Sequence, residues 1–123
     1  MSATTQEPVI DVVQATGTIT AIDLKGEFDF ANASELLEHV RRALDSGQHV
    51  IVNLSDATFI DSAIVHALFT AGELASAGNR ECVLQVGTHP GVERVLSLTG
   101  TDRALTRASC RREAVDRINQ APV

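Results

Sequence analysis

The sequence predicts a single α/β domain, a mixed and mostly parallel sheet of about four or five strands covered by four helices. Three observations point there. His49 to Leu54 (HVIVNL) and Cys82 to Val86 are short, nearly continuous apolar runs, the mark of strands covered on both faces. Segments with apolar residues at helical spacing stand between and after those runs. The chain also has four Phe and no Trp or Tyr, so its core is built from Val, Ile, Leu and Ala, as suits a parallel sheet under helices. At 123 residues it has the length of one domain.

The elements follow in order. Val9 to Val13 and Thr18 to Leu24, separated by the turn signal Ala15-Thr16-Gly17, read as two strands paired in a hairpin. After Gly26 and Glu27-Phe28-Asp29-Phe30 the chain enters a helix in which Asn32 and Glu35 have capping-box spacing. Leu36, Leu37, Val40, Ala43 and Leu44 form its buried face, and Gly47 stops it. His49 to Leu54 is the expected central strand. The next helix spans Ser62 to Ala77, with Ser62, His66, Thr70 and Glu73 on a narrow polar stripe. Gly78 ends it and Cys82 to Val86 is the following strand. Pro90 opens a short helix through Leu98, and Gly100 terminates that one. Ala104 to Arg107 reads as an edge strand, and Ser109 as the N-cap of a last helix with Ala114, Val115 and Ile118 inward. The domain is expected over 8–119, between tails 1–7 and 120–123.

Charge and composition exclude several roles. A formal charge of −6 disfavours binding along nucleic-acid phosphates or to an anionic membrane surface. Arg107, Arg111 and Arg112, interrupted by Glu113 and Asp116, read as a solvated helix face. Cys82 and Cys110 fit no metal-ligand spacing or disulfide framework and are expected to act as small apolar residues in a reducing, cytoplasmic setting. The most apolar stretch, Phe59 to Ala71, is broken by Asp61, Ser62 and His66, so no membrane span is expected. Catalysis finds no footing. Ser62 lacks the glycines of a nucleophile elbow, His39, His49, His66 and His89 show no metal spacing, and Gly87-Thr88-His89-Pro90-Gly91 is no phosphate loop.

Chemistry concentrates between Asn53 and Ser62, read as a loop from a buried strand into a helix N-terminus, the sheet edge where α/β domains meet ligands and partners. A phosphate on Ser62 would lie beside unpaired N–H groups at the positive end of the helix dipole. Its charge of about −1.5 to −2, sharpened by Asp61, would repel a docked partner. Residue types alone favour the plainer reading, in which Ser62 or Asp61 is no more than an N-cap. Ile64 points outward beside Ser62 as an apolar contact, unless the sheet and a neighbouring helix cover both sides of this helix. His66, one turn on, either contacts a phosphate or is incidental.

Three stretches resemble the STAS family, named for sulfate transporters and anti-sigma factor antagonists: Leu24-Lys25-Gly26-Glu27-Phe28-Asp29, Val52-Asn53-Leu54 through Phe59-Ile60-Asp61-Ser62, and Leu98-Thr99-Gly100-Thr101-Asp102. The resemblance runs from Pro8 to Asn119. It implies a STAS-like fold and a non-enzymatic partner switch with no cofactor. The unmodified domain binds an anti-sigma factor that is also a serine kinase, phosphorylation at Ser62 breaks the complex, and a serine phosphatase restores it. Partner contacts are implied at Asp29 and Asp61, along the helix start at Ala63, Ile64, Val65 and His66, and at Thr101. Two departures stand out: Ala63 and Ile64 follow Ser62 where the signature has Ser-Gly, and Asn53 stands where Asp is frequent. The first admits an alternative, a non-phosphorylated subunit of a lipid-transport ATPase or stress-signalling complex. A small-ligand or nucleotide sensor would draw only on the acidic rim around Asp29.

Overall fold

In the computed structural model, which describes residues 7–121, the chain forms β1 (Val9–Thr16), β2 (Ile19–Phe28), α1 (Phe30–Asp45), β3 (His49–Ile60), α2 (Ser62–Ala77), β4 (Cys82–Gln85), α3 (Pro90–Leu98), α4 (Thr101–Ala104), β5 (Thr106–Ala108) and α5 (Arg111–Gln120). The strands lie in chain order, antiparallel between β1 and β2 and parallel thereafter. β3 is central, as its unbroken apolar run requires. Residues 1–6 and 122–123 of the expected tails lie outside the described residues.

Alternation along β3 divides two cores. Val50 and Val52 face a cluster built with α1, α2 and α3, whereas Ile51 faces the opposite side with Ile19, Ala21, Val83, Ala114 and Ile118 under α5. Both faces are covered, so the strand needs no polar alternation.

The structure corrects several boundaries, each for a local reason. β3 continues to Ile60 where a loop was expected after Leu54, because β2 also continues, to Phe28, and supplies its backbone partners. Gly26, at φ 98°, takes the left-handed backbone where the register of this pair shifts. Polar Ser55, Asp56 and Thr58 are therefore strand residues by pairing and not by pattern. The first helix begins a turn earlier than the Asn32–Glu35 spacing suggests: Asp29 is its N-cap and Asn32 the returning residue of the box. A fifth helix, the single turn α4, follows Gly100 at φ 77°. β5 is shifted to Thr106–Ala108, where it meets Val83 to Gln85 of β4.

At the last helix the N-cap is Cys110, not Ser109; its Sγ accepts from Glu113 N at 3.5 Å, while the Glu113 carboxylate reaches back to Ser109 N at 2.6 Å. Cys110 is thus exposed and polar in use, against expectation. Cys82 is buried, and burial pushes its thiol pKa up to about 12. The arginine trio is not one solvated face: Arg107 pairs with Glu93, and Arg111 binds Asp23 at 2.5 Å and Gln85 at 2.8 Å. Only Arg112 stands exposed without such an ion pair.

His49 joins β3 to the approach of β4, its Nδ1 accepting from Glu81 N at 3.0 Å. That bond needs the neutral ring. Burial first, then the charge of Arg80, hold its pKa below the ordinary 6.5. A lowered histidine pKa means the folded state resists protonation, so this stability is full above pH 6.5 and declines as pH falls from there through the lowered value. Thermal unfolding at about pH 7.5 and about pH 5 should show a larger fall for the parent chain than for His49→Asn, which keeps an acceptor and does not titrate. Equal falls would rule out His49 as the source.

Candidate functional site

Two strand-to-helix transitions stand side by side at the carboxyl edge of the sheet. Phe28 ends β2 and Ile60 ends β3, paired in register and both buried. The next residue in each chain segment is an aspartate, and each is an N-cap: Asp29 for α1 and Asp61 for α2. Phe30 and Ser62 are then the first residues of the two helices.

The carboxylate of Asp61 serves both. Its Oδ1 accepts from Ile64 N of α2 at 3.0 Å, and its Oδ2 accepts from Phe30 N of α1 at 3.0 Å. One side chain therefore satisfies orphan donors of two helices, with its negative charge at two positive helix ends. Asp29 accepts from Ala31 N at 2.9 Å, and its own N–H donates to Asn32 Oδ1 at 3.2 Å.

Asp61 capping leaves Ser62 with no structural task. The Ser62 side chain is exposed, and among the described residues no hydrogen bond engages its hydroxyl. The two candidates for the cap are thus resolved in favour of Asp61. Next to the hydroxyl are the Asp61 carboxylate and, held by it through the backbone N–H, Phe30, which is 76% exposed; Phe59, 47% exposed, precedes Ile60 on β3. No Lys or Arg occurs in α2 or in the first turn of α1.

The site expected from sequence is only partly at the surface. Ser62 and His66 are exposed, and Asp29, Asp61 and Ala63 are half-buried. Ile64 does not point outward: it is fully buried and belongs to the main core with Ile60 and Leu68. Helical geometry explains this, since Leu68 and Ala71 follow Ile64 at i+4 and i+7 on the same inward face. Val65 is buried too. Thr101 is buried at the start of α4, its hydroxyl 2.8 Å from that of Thr99. None of these three presents its side chain to a partner. Phe30 and Phe59 were missed. Their sign was present in Phe28-Asp29-Phe30 and Phe59-Ile60-Asp61, where one aromatic or branched residue per strand end suffices for the core and the second Phe has no inward place.

Asn53 also acquires a reason. Its amide donates to Asp23 Oδ1 at 3.0 Å, and its carbonyl oxygen accepts from Ser55 N and Oγ at 2.9 and 2.6 Å. A second carboxylate there would face Asp23 across the β2–β3 pair and repel it.

Among the described residues, no cluster of His, Cys, Asp and Glu is suited to hold a metal ion and no helix is long and apolar enough to cross a membrane. A groove of about 450 Å³ lined by Val12, His39, Arg42 and Gln48 lies at the other end of β3 from Ser62.

The family model described as STAS domain matches residues 10–114. The chain belongs to the STAS domain family. No curated protein matches it in sequence. Among solved structures, this STAS domain is similar to an anti-sigma factor antagonist from Mycobacterium paratuberculosis, at 19% identity and TM-score 0.82 over 98% of this chain and 100% of that one. It is similar to the anti-sigma factor antagonist SpoIIAA in its unphosphorylated form, at 21% identity and TM-score 0.76 over 94% and 100% of the two chains. The Bacillus cell fate determinant SpoIIAA in its phosphorylated form gives 20% identity and TM-score 0.67 over 89% and 99%. At these identities the likeness is one of fold.

Removing each side chain in turn separates cap from hydroxyl. Ser62→Ala should leave stability within about 0.5 kcal/mol of the parent chain, as for an exposed group without partners. Asp61→Ala should lower it by about 2 kcal/mol, an N-cap and a second charge-assisted bond being lost together. Urea denaturation measures both, and a reversed order would mean that Ser62 is the cap.

Proposed function

We propose that this STAS domain is an anti-sigma factor antagonist that works by partner switching, with Ser62 as the modified residue. Unmodified, it docks an anti-sigma factor that is also a serine kinase and so frees a sigma factor. It performs no catalysis, needs no cofactor, contacts no nucleic acid and acts in the cytoplasm. The observation that carries this reading is the exposed, unbonded hydroxyl of Ser62 at a capped helix start, with exposed Phe30 held at the neighbouring helix start by Asp61.

The modification is a phosphoryl transfer. Ser62 Oγ attacks the γ-phosphorus of ATP held by the kinase, the new O–P bond forms as the bond to the β-phosphate oxygen breaks, ADP leaves, and the hydroxyl proton passes to a base of the kinase. A serine phosphatase reverses the state by hydrolysis. The added group carries about −1.5 to −2 charges. No Lys or Arg in α2 or the first turn of α1 neutralises it, so its charge is felt by the docked partner.

Phe30 supplies the apolar part of the docking surface, with Asp29, Asp61, Ala63 and His66 around it. The Ala63-Ile64 departure would favour the alternative subunit of a lipid-transport ATPase or stress-signalling complex only if it altered this surface. Ile64 lies in the core, so the outer face is unobstructed.

Incubation with ATP and purified candidate anti-sigma kinases, followed by mass spectrometry, is expected to place one phosphate on Ser62. Ser62→Ala should keep partner affinity, and Ser62→Asp should weaken it at least about tenfold, the scale of a buried like-charge or desolvated carboxylate. Absence of modification at Ser62 with every kinase that binds would sink the switch. Recovery of a membrane ATPase as the stable partner would favour the alternative.

A further inference from the structure

Asp61 joins two elements that the switch needs to coordinate. One oxygen caps α2 directly beside Ser62, and the other holds the first N–H of α1, which belongs to Phe30, the most exposed aromatic of the chain. The start of α1 has its own box from Asp29 and Asn32, but that box serves Ala31, Asn32 and the backbone of Asp29 and leaves Phe30 N to Asp61. Phe30 N therefore depends on a residue of the neighbouring segment.

We infer that Asp61 is a positioning residue whose shared carboxylate holds Phe30 in its docking place, and that a phosphate on Ser62 releases Phe30 by displacing that carboxylate. The inference rests on the proposed phosphorylation of Ser62 and extends it from charge to geometry.

The displacement follows from counting donors and charges. A phosphate on the first residue of α2 lies within reach of the same first-turn N–H groups that Asp61 caps, and presents three acceptor oxygens to them. Two anions at one helix end compete for one set of donors, and no Lys or Arg of α2 or of the first turn of α1 offsets their repulsion. The phosphate can replace Asp61 at Ile64 N, within its own helix turn. Repulsion from the phosphate turns the whole Asp61 carboxylate away from this helix end, so Phe30 N, on the neighbouring helix, is left without its acceptor.

Amide NMR of the intact chain tests this without a kinase, using genetically encoded phosphoserine at position 62. Phosphorylation should shift the Phe30 amide proton upfield and speed its hydrogen exchange about tenfold, the scale of one lost charge-assisted hydrogen bond, while Ile64 stays protected. Asp61→Asn, with serine unmodified, separates the two bonds: its carbonyl oxygen still caps Ile64 N, but its amide nitrogen cannot accept from Phe30 N. It should reproduce the Phe30 change alone, and Asp61→Glu should restore part of it. An unchanged Phe30 amide in either protein overturns the inference. If the phosphorylated chain loses its anti-sigma partner with Phe30 unmoved, the switch stands and the clamp falls. If Phe30 moves as described but no kinase modifies Ser62, the clamp stands and the switch falls.

Discussion

The carboxylate of Asp61 lies where two helices begin, and the geometry of the whole carboxyl edge follows from the need to bring it there. Helix starts leave N–H groups unpaired, and α1 and α2 leave theirs within a few ångströms of each other. A single acceptor can satisfy both only if β2 and β3 end together. The pairing of Phe28 with Ile60 achieves that, and it is reached through the irregular pairing around Gly26. The register shifts in this ribbon thus have a purpose beyond pairing: they align two caps.

Surface and core divide accordingly. Below the edge, Phe28, Ile60 and Ile64 are buried together in the main core, so the floor of the site is fixed by close packing. At the surface of this edge are groups that the core does not use, the hydroxyl of Ser62 and the exposed ring of Phe30. On the opposite face a polar chain from Asn53 through Asp23 to Arg111 and Gln85 ties three strands to the start of α5. Its bonds are charge-assisted and partly buried, the setting in which such bonds are strongest.

How far the sequence revealed all this depended on what decided each feature. The extent of α2, the hairpin, the central strand and the inward faces of α1 and α5 are set by local apolar pattern, and they were legible. The second half of β3 was not, because Ser55, Asp56 and Thr58 are in a strand only through pairing with a distant segment. The caps were half legible: Asp29 and Asp61 are ordinary capping residues, but which of several polar neighbours caps a helix depends on where the preceding strand stops. Ile64 misled for a related reason. An apolar residue in a first helical turn faces inward or outward according to the phase of the helix, and that phase was fixed by Asp61 as N-cap.

Ser62 is free to take the proposed role of switch because Asp61 does the capping. Had the serine been the cap, its hydroxyl would be committed to a backbone N–H, and a phosphate there would disturb the helix start before it disturbed any partner. With the cap on the preceding residue, the hydroxyl contributes almost nothing to folding and the domain can carry either form of it. The same arrangement puts an acidic group next to the Ser62 hydroxyl, so charge added there would meet existing charge at short range, with no Lys or Arg in α2 or the first turn of α1 to offset it. A residue that the fold does not need, next to one that it does, is what would let the proposed covalent change at Ser62 alter binding while the domain stays folded.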